Sequence, residues 1–548
     1  MTTTYTYPKY EYRRPPELDG GSARRGVVVV GAGPVGLTAA IDLAQRGVPV
    51  LVLDDDDTVS VGSRAICYSK RTLEILDRLS CGEPVAAKGV GWKVGKVYQG
   101  SELAYQFDLL PETGHHRPAF VNLQQYYFEE ALVNRARALP ALELRWRNKV
   151  THVAPTPDGV ALRVATDDGE YALACDWLVV CDGARSPIRH MLGLDFEGQV
   201  FRDRFLIVDF RMTADFPAER RFWFDPPFHP NQSVLLHRQP DDVWRVDFQL
   251  GWDADPEAEK QPARILPRLA AMLGPDARVE IEWASVYTFQ CRRMQRFRHG
   301  RLIFAGDSAH LVSPFGARGA NSGIQDVDNL GWKLSLVVAG RAPDALLDTY
   351  DAERIAAADE NIRNSTRSTD FITPKSAVSR TFRDAVLALA RRYAFARRLV
   401  NSGRLSVPAV LGESPLNTPD GAAFAGAMVP GAVAADAPVN GDRGPWLLGY
   451  LGGDFVLLAF GDGVDAAAAR ALRTAPIACR VVQVGGAGGA DRDVIGDPEG
   501  LVAARYDGRP GTCYLVRPDQ HVCARWRAFD AAAVRAALAR ATCREPEA

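Results

Sequence analysis

Two stretches of this chain carry residue types whose spacing could do chemistry. Residues 27–54 read VVVVGAGPVGLTAAIDLAQRGVPVLVLD, a β-branched run followed by Gly31-Ala32-Gly33-Pro34-Val35-Gly36. In a GxGxxG of this kind Gly31 permits a tight turn, Gly33 lets the backbone approach a pyrophosphate, and Gly36 lets the next helix pack close to the strand. Pro34 lies in the same loop, where the free N–H groups and positive end of the helix face the phosphates. Asp54 ends the following strand, placed to accept hydrogen bonds from a ribose diol. That is the chemistry of dinucleotide binding, and the fingerprint by itself leaves NAD and FAD open.

The second stretch, GDSAHLVSPFGARGANSGIQDVDNLGWK at residues 306–333, follows the apolar run 302–305. It sets Gly306 and Asp307 at a strand end. A loop short of side chains comes next, with Pro314, Gly316, Arg318, Gly319, Ala320 and Asn321, and then a helix over 321–333. A third segment, CDWLVVCDGARSPIR at 175–189, repeats the arrangement: an apolar strand ends in Asp182-Gly183, with Arg185 and Arg189 beyond it.

The sequence also outlines the elements that must hold these groups. Residues 27–30 and 48–53 read as buried strands around a helix over 37–46 that stops at Gly47. Apolar–polar alternation at 205–211, 233–237, 244–250 and 279–289 predicts an antiparallel sheet, with Tyr287 and Phe289 on one face of its last strand. Residues 350–367 read as a helix. So do 382–400, with Phe382, Val386, Leu389, Tyr393, Ala396 and Val400 on one face and arginines on the other. With a near-neutral chain this is a packing or dimer helix rather than a membrane-surface one. Beyond residue 420, strands at 455–460 and 480–484 alternate with helical runs, ending in a helix over 531–540. The glycine cluster at 484–491 lacks a helix-forming sequel and reads as a loop.

The three motifs, in this order, resemble those of the class A FAD-dependent aromatic hydroxylases, the flavoprotein monooxygenases related to p-hydroxybenzoate and phenol hydroxylase, over about residues 27–370. YLVRPDQHVCARW at 514–526 is similar to the C-terminal thioredoxin-like domain of phenol-hydroxylase-type members, among them 3-(3-hydroxyphenyl)propionate hydroxylases. The resemblance implies an α/β fold. A Rossmann-type, glutathione-reductase-like FAD-binding domain would span 27–195 and 291–370, with a mixed or antiparallel substrate sheet inserted at 196–290. A helical linker at 371–419 and a thioredoxin-like domain at 420–548 would follow, with a polar tail at 1–26. The tail has no apolar stretch of the signal-peptide kind.

The resemblance also implies roles. Asp307 would bind the FAD ribityl chain. Pro314 and residues 316–323 would approach the isoalloxazine ring, with the following helix N-terminus at its pyrimidine end. Asp182-Gly183 would serve FAD and NAD(P)H, Arg64 would lie on the flavin side, and Gln125 (with Gln124 as rival) would reach the FAD phosphate or ribityl region. NAD(P)H would be a transient reductant, O2 would be captured as a flavin C4a-hydroperoxide, and its distal oxygen would pass to an electron-rich ring. Tyr287, Arg318 and Pro314 are the catalytic candidates. Tyr287, Phe289, His237 and Arg292 are the substrate-binding candidates. Arg318 and Ala320 depart from the family pattern, which commonly has glutamine and a larger apolar residue there.

Composition narrows the remaining classes. Sixty-five basic against 67 acidic residues leave a net charge of -2, which argues against nucleic acid or an anionic membrane as a bulk partner. No uninterrupted apolar stretch is long enough for an integral membrane segment. Nine scattered cysteines form no CxxC, so neither a metal site nor thiol redox chemistry is implied, and free thiols fit the cytoplasm. A small aromatic substrate is expected, and a homodimer is left open. Two competitors remain: a flavin-dependent halogenase, whose WxWxIP motif is absent, and a non-catalytic protein that merely retains FAD.

Overall fold

The computed structural model describes residues 4–20, 23–214, 216–400, 405–486 and 491–545. Parts of the predicted N-terminal tail and half of the 484–491 glycine cluster (487–490) therefore lie outside the described residues. The strand Ala23–Val30 sits between Val50–Leu53 and Gly169–Val180, parallel to both. Leu142–Arg145 extends this sheet on one side and Leu302–Phe304 on the other, again in parallel. The apolar runs 27–30 and 50–53 are buried on both faces, which is why they show no alternation. The helix Pro34–Gln45 opens on proline, whose missing N–H is no loss in a first turn. The loops at 31–33, 54, 181–186 and 305–309 all leave the carboxyl ends of these neighbouring parallel strands, the edge where such sheets bind ligands.

A second sheet of eight strands lies beside the first. Its order is His310–Leu311, Glu280–Arg293, Glu197–Arg211, Val243–Leu250, Ser233–Arg238, Arg220–Phe224, Val94–Gln99 and Glu102–Asp108. The sheet expected over 196–290 thus borrows two strands from 94–108 and runs on to Arg293. The parallel pairing of Arg220–Phe224 with Val94–Gln99 covers an edge that would otherwise be open, and local alternation gives no sign of it. One face packs Leu206, Val208, Phe210 and Phe248 against Ile265 and Leu269 of the helix Pro262–Leu273. The other sets Phe205, Phe222, Phe224 and Phe289 against Phe315, Ile372 and Val386.

The helix expected over 382–400 is broken. The chain forms Ala377–Ala390 and then a short helix, Ala394–Arg397, and the turn between them resets the helical phase. Arg383, Val386, Leu387 and Ala390 make the buried face of the first, at helical spacing. Ala396 and Val400 are buried, but Phe382, Leu389 and Tyr393 are exposed, so the single predicted face does not exist.

The C-terminal sheet has the order Arg492–Ile495, Cys479–Val484, Phe455–Phe460, Cys513–Val516, Val522–Trp526. Its first three strands are parallel and its last two antiparallel, with the helices Ala466–Thr474, Leu501–Tyr506 and Ala531–Ala541 between and after them.

Side chains of the helix Gly319–Val338 weld this unit to the rest. The Lys333 ammonium donates to Glu353 Oε2 at 2.7 Å, and Arg517 grips both oxygens of Glu353 at 2.6 and 3.1 Å. Arg517 also donates to Asp519, which accepts from the Trp332 indole at 3.0 Å. Arg71 joins Asp328 at 2.9 Å to Gln520 at 2.7 Å. All of these groups are buried. Burial pulls the Lys333 ammonium down to about 8 although Glu353 faces it. Removing one carboxylate strands two buried cations. Glu353→Ala is therefore expected to lower stability by about 3–5 kcal/mol in urea denaturation; a loss within the range of a surface substitution would contradict this reading.

Candidate functional site

The glycine loop adopts the geometry its residues predict. Gly31 has φ +104°, and a Cβ there would lie 2.4 Å from the Cys181 carbonyl oxygen. A Cβ on Gly36 would lie 1.9 Å from the Gly31 carbonyl oxygen, so helix and strand meet at backbone distance. At Gly33 the nearest atom would be Glu129 Oε1 at 4.0 Å, which leaves that side of the loop open. Asp54 turns back onto this loop: its carboxylate accepts from the N–H of Ala32 and, at 2.9 Å, from that of Asp56. Burial pushes Asp54 up to about 6, outweighing these two bonds, and Asp55 and Asp56 add to the rise.

Gln125 and Glu129 fix the segment 60–65 that crosses in front of the loop. Gln125 Oε1 accepts from Ala65 N–H at 3.0 Å, and its amide donates to Glu129 at 2.8 Å. Glu129 accepts from Ser60 N–H at 2.6 Å and Ser60 Oγ at 2.8 Å. From the second sheet, Arg245 donates to the carbonyls of Ser63 and, at 3.2 Å, Arg64. Both domains thus hold this segment, and the Arg64 side chain is left exposed in the space between them. Gln124, the rival, donates to the Pro240 carbonyl at 3.2 Å instead.

At the far end of the cleft Asp182 and Asp307 leave adjacent strand ends. One Asp182 oxygen accepts from Ile188 N–H at 3.1 Å, while the other is buried without a partner. Gly183 takes φ +79° with nothing within 4 Å of a Cβ placed on it. The Asp307 carboxylate makes no hydrogen bond among the described residues, and its Oδ1 lies 3.9 Å from where a Gly319 Cβ would be. It therefore faces the first turn of the helix Gly319–Val338, whose leading N–H groups have no partner within the helix. Burial raises Asp307; His310 and then Arg64 oppose it. Asp307 and Arg64 also act on Tyr287, 39% exposed into the same space, where burial and Asp307 push the phenol up to about 12. The site thus has an open glycine loop at one end and, at the other, carboxylate oxygens without partners among the described residues and free helix N–H groups. FAD fits this arrangement of donors and acceptors: diphosphate at the loop, ribityl hydroxyls at Asp307, flavin carbonyl edge at the helix N-terminus.

Not every predicted residue faces the cleft. Gly306 packs on Val35, and its N–H donates to Asp326 at 3.0 Å. Gly316 makes room for the Arg318 guanidinium, which is buried. Pro314 is exposed, and its carbonyl takes the N–H groups of Gly316 and Ala317. Ala320 is half-buried against the first core. The Asn321 side chain is spent on Ser69 N–H, Thr72 and the Cys67 carbonyl, leaving only its backbone N–H for a ligand. Phe289 is fully buried between Phe205 and Phe315 and walls no open space. Arg292 falls on the opposite strand face from Tyr287, donates to the Phe196 carbonyl at 2.9 Å and stacks on that ring, so it is a structural arginine. Arg189 likewise ties Ser308 to Ala184, and Arg185 is exposed. His237 is buried on the inner face of the second sheet beside Arg220 and Arg245. Sequence reasoning missed Glu129, one helical turn after Gln125, and Arg245 and Arg220, which strands distant in sequence bring together.

Residues 24–365 match the FAD binding domain family, and the chain belongs to it as an FAD-dependent monooxygenase of the aromatic-hydroxylase type. It is 32% identical to 6-methylpretetramide 4-monooxygenase of Streptomyces rimosus, over 93% of this chain and 92% of that one. It is 30% identical to a 3-(3-hydroxy-phenyl)propionate/3-hydroxycinnamic acid hydroxylase of Mycolicibacterium smegmatis, over 66% of this chain and 64% of that one. The solved anhydrotetracycline hydroxylase OxyS of Streptomyces rimosus superposes with a TM-score of 0.71 at 28% identity, covering 96% of this chain and all (100%) of that one.

Two substitutions test the cleft. Asp307→Ala is expected to weaken FAD binding about tenfold to a hundredfold, by loss of a charged acceptor, without destabilising the apoprotein. Full flavin content in that variant would defeat the assignment. Asp54 is raised by folding, so its contribution is complete below about pH 4 and is lost as pH rises through about 6. Asp54→Asn apoprotein should therefore melt higher than wild type at neutral pH, with the gap closing near pH 4, while its FAD affinity falls.

Proposed function

We propose that this protein hydroxylates a phenolic aromatic compound, using NAD(P)H as transient reductant and O2 as co-substrate. The observation that carries the reading is the pairing of a partnerless Asp307 with the open first turn of the helix Gly319–Val338, directly facing the Tyr287 side of the second sheet. The redox chemistry, acceptance of a hydride and delivery of one oxygen atom of O2 to the ring, is that of the flavin.

The chain's own residues bind, orient and exclude water. The helix N-terminus stabilises negative charge at the pyrimidine edge of the ring. Tyr287 stays a neutral phenol at any physiological pH, so its O–H donates to an oxygen of the substrate or of the flavin edge. Arg64 adds positive charge on the same side. Behind it Phe315 packs edge-on against Phe205 and Phe289, with centroids 4.9–5.0 Å apart, and this aromatic cluster keeps water out.

The relatives act on hydroxyphenyl carboxylic acids and on tetracyclic polyketides, and both kinds of ring suit an aromatic-walled site. The C-terminal sheet, with three parallel and two antiparallel strands, supports a thioredoxin-like unit that serves structure, since it carries no CxxC. The free cysteines fit a cytoplasmic setting.

A panel of phenols, hydroxyphenyl acids and polycyclic phenols tests the reading by stimulated NADH and NADPH oxidation, with mass spectrometry of the product. Stimulation coupled to a gain of one oxygen atom is expected. A chloride-dependent product without oxygen insertion would point to a halogenase. Bound flavin that no aromatic compound influences would leave only a binding protein.

A further inference from the structure

The inner face of the second sheet holds a set of polar groups that the flavin cleft does not use. On the strand Arg220–Phe224 the residues Arg220, Phe222 and Phe224 share one face. Together with Tyr105, Phe315 and Ile372 they line a small cavity of about 60 Å³, whose one other charged wall residue is Lys96. Arg220 is only 7% exposed, yet its guanidinium makes no hydrogen bond and no ion pair among the described residues. The other buried cations nearby are matched: Arg245 is held by both oxygens of Asp209 at 2.7 Å, and Lys96 by Glu219 at 2.8 Å. Beside Arg220, His237 has a buried Nδ1 without a partner, and Asp247 a buried Oδ1 without one. Cys67 and Asp247 lie close enough to act electrostatically on Arg220, but neither pairs with it.

A buried guanidinium with no anion costs several kcal/mol unless a ligand supplies the anion. Its position in an aromatic cavity, with an unmatched polar atom on each of the next two strands of the sheet, Ser233–Arg238 and Val243–Leu250, defines what that ligand must be.

We propose that Arg220 is the substrate anchor, taking an ionised oxygen, carboxylate or phenolate, of an aromatic molecule whose anionic end enters this cavity past Phe222, Phe224 and Phe315. A hydroxyl on the same molecule reaches His237 Nδ1 or Asp247. Calling the ligand the substrate rests on the hydroxylase reading above; the anion anchor itself does not.

The test measures binding rather than turnover, by calorimetry on FAD-loaded protein. The probes are 3-(3-hydroxyphenyl)propionate against its amide, and a hydroxyanthraquinone phenolate against its methyl ether. Wild type is expected to prefer the anionic member of one pair by about tenfold or more, and the pair that shows it identifies the oxygen. Arg220→Gln should abolish that preference while binding the neutral member as before, and Arg220→Lys should keep part of it. Retained flavin and a melting temperature no lower than that of wild type in both variants report an intact fold. A preference that survives in Arg220→Gln, or a wild type indifferent within both pairs, overturns the anchor. An anchored ligand that is never oxygenated would instead count against the hydroxylase reading and leave the anchor standing.

Discussion

A carboxylate with no water around it stays ionised only if the protein surrounds it with donors, and Asp326 is such a group. It accepts from His310 at 2.6 Å, Arg354 at 2.7 Å and the Gly306 N–H at 3.0 Å. Burial alone would raise it; His310 and Arg354 outweigh burial and hold it near 2. Through this one side chain the helix Gly319–Val338 is tied to the strand end that carries Asp307 and to the helix Asp348–Ile372. Asn321 ties the same helix to the segment 67–72; Asp328 reaches the C-terminal unit through Arg71, and Asn329 and Lys333 reach it through Glu353. A helix held by so many buried polar groups has one position, and its N-terminus can aim at a ligand because it cannot move.

This accounts for the small residues of the 306–333 stretch better than a flavin-facing loop does. A Cβ on Gly323 would lie 2.6 Å from a Val35 methyl, and one on Gly331 1.9 Å from Asp42 Oδ2. These two glycines let the helices Pro34–Gln45 and Gly319–Val338 cross in contact, so that the dinucleotide loop and the flavin-facing turn share one rigid base. Of the loop glycines, Gly319 is the one beside the Asp307 carboxylate and the open cleft. One glycine-rich segment therefore serves both packing and binding, and only the neighbours of each position separate the two.

The two sheets divide the work. The parallel sheet presents strand ends, and its loops converge on one edge. The mostly antiparallel sheet presents a face, where Tyr287 borders the space shared with Asp307 and Arg64, and Arg220, His237 and Asp247 lie deeper. Arg245 couples them by reaching from that face to the carbonyls of Ser63 and Arg64, so the segment bearing Arg64 is shaped by both.

The dinucleotide half of the site was legible from residue order alone. Gly31, Asp54, Asp182 and Asp307 each close an apolar run, Gly36 follows in the first turn of the next helix, and strand end, turn and helix follow one another locally. The family followed from the order of those motifs. The substrate half was not legible. Arg292 and Phe289 looked suitable by type, but strand phase turned one away and core packing buried the other. Arg220, which carried no motif, became the unmatched cation only because strands from 94–108, 220–224 and 233–250 pair side by side. Local sequence determines which backbone turns and helix ends can form, because those depend on neighbouring residues. Which buried charge finds a counter-charge is a long-range question, and only the tertiary structure decided it.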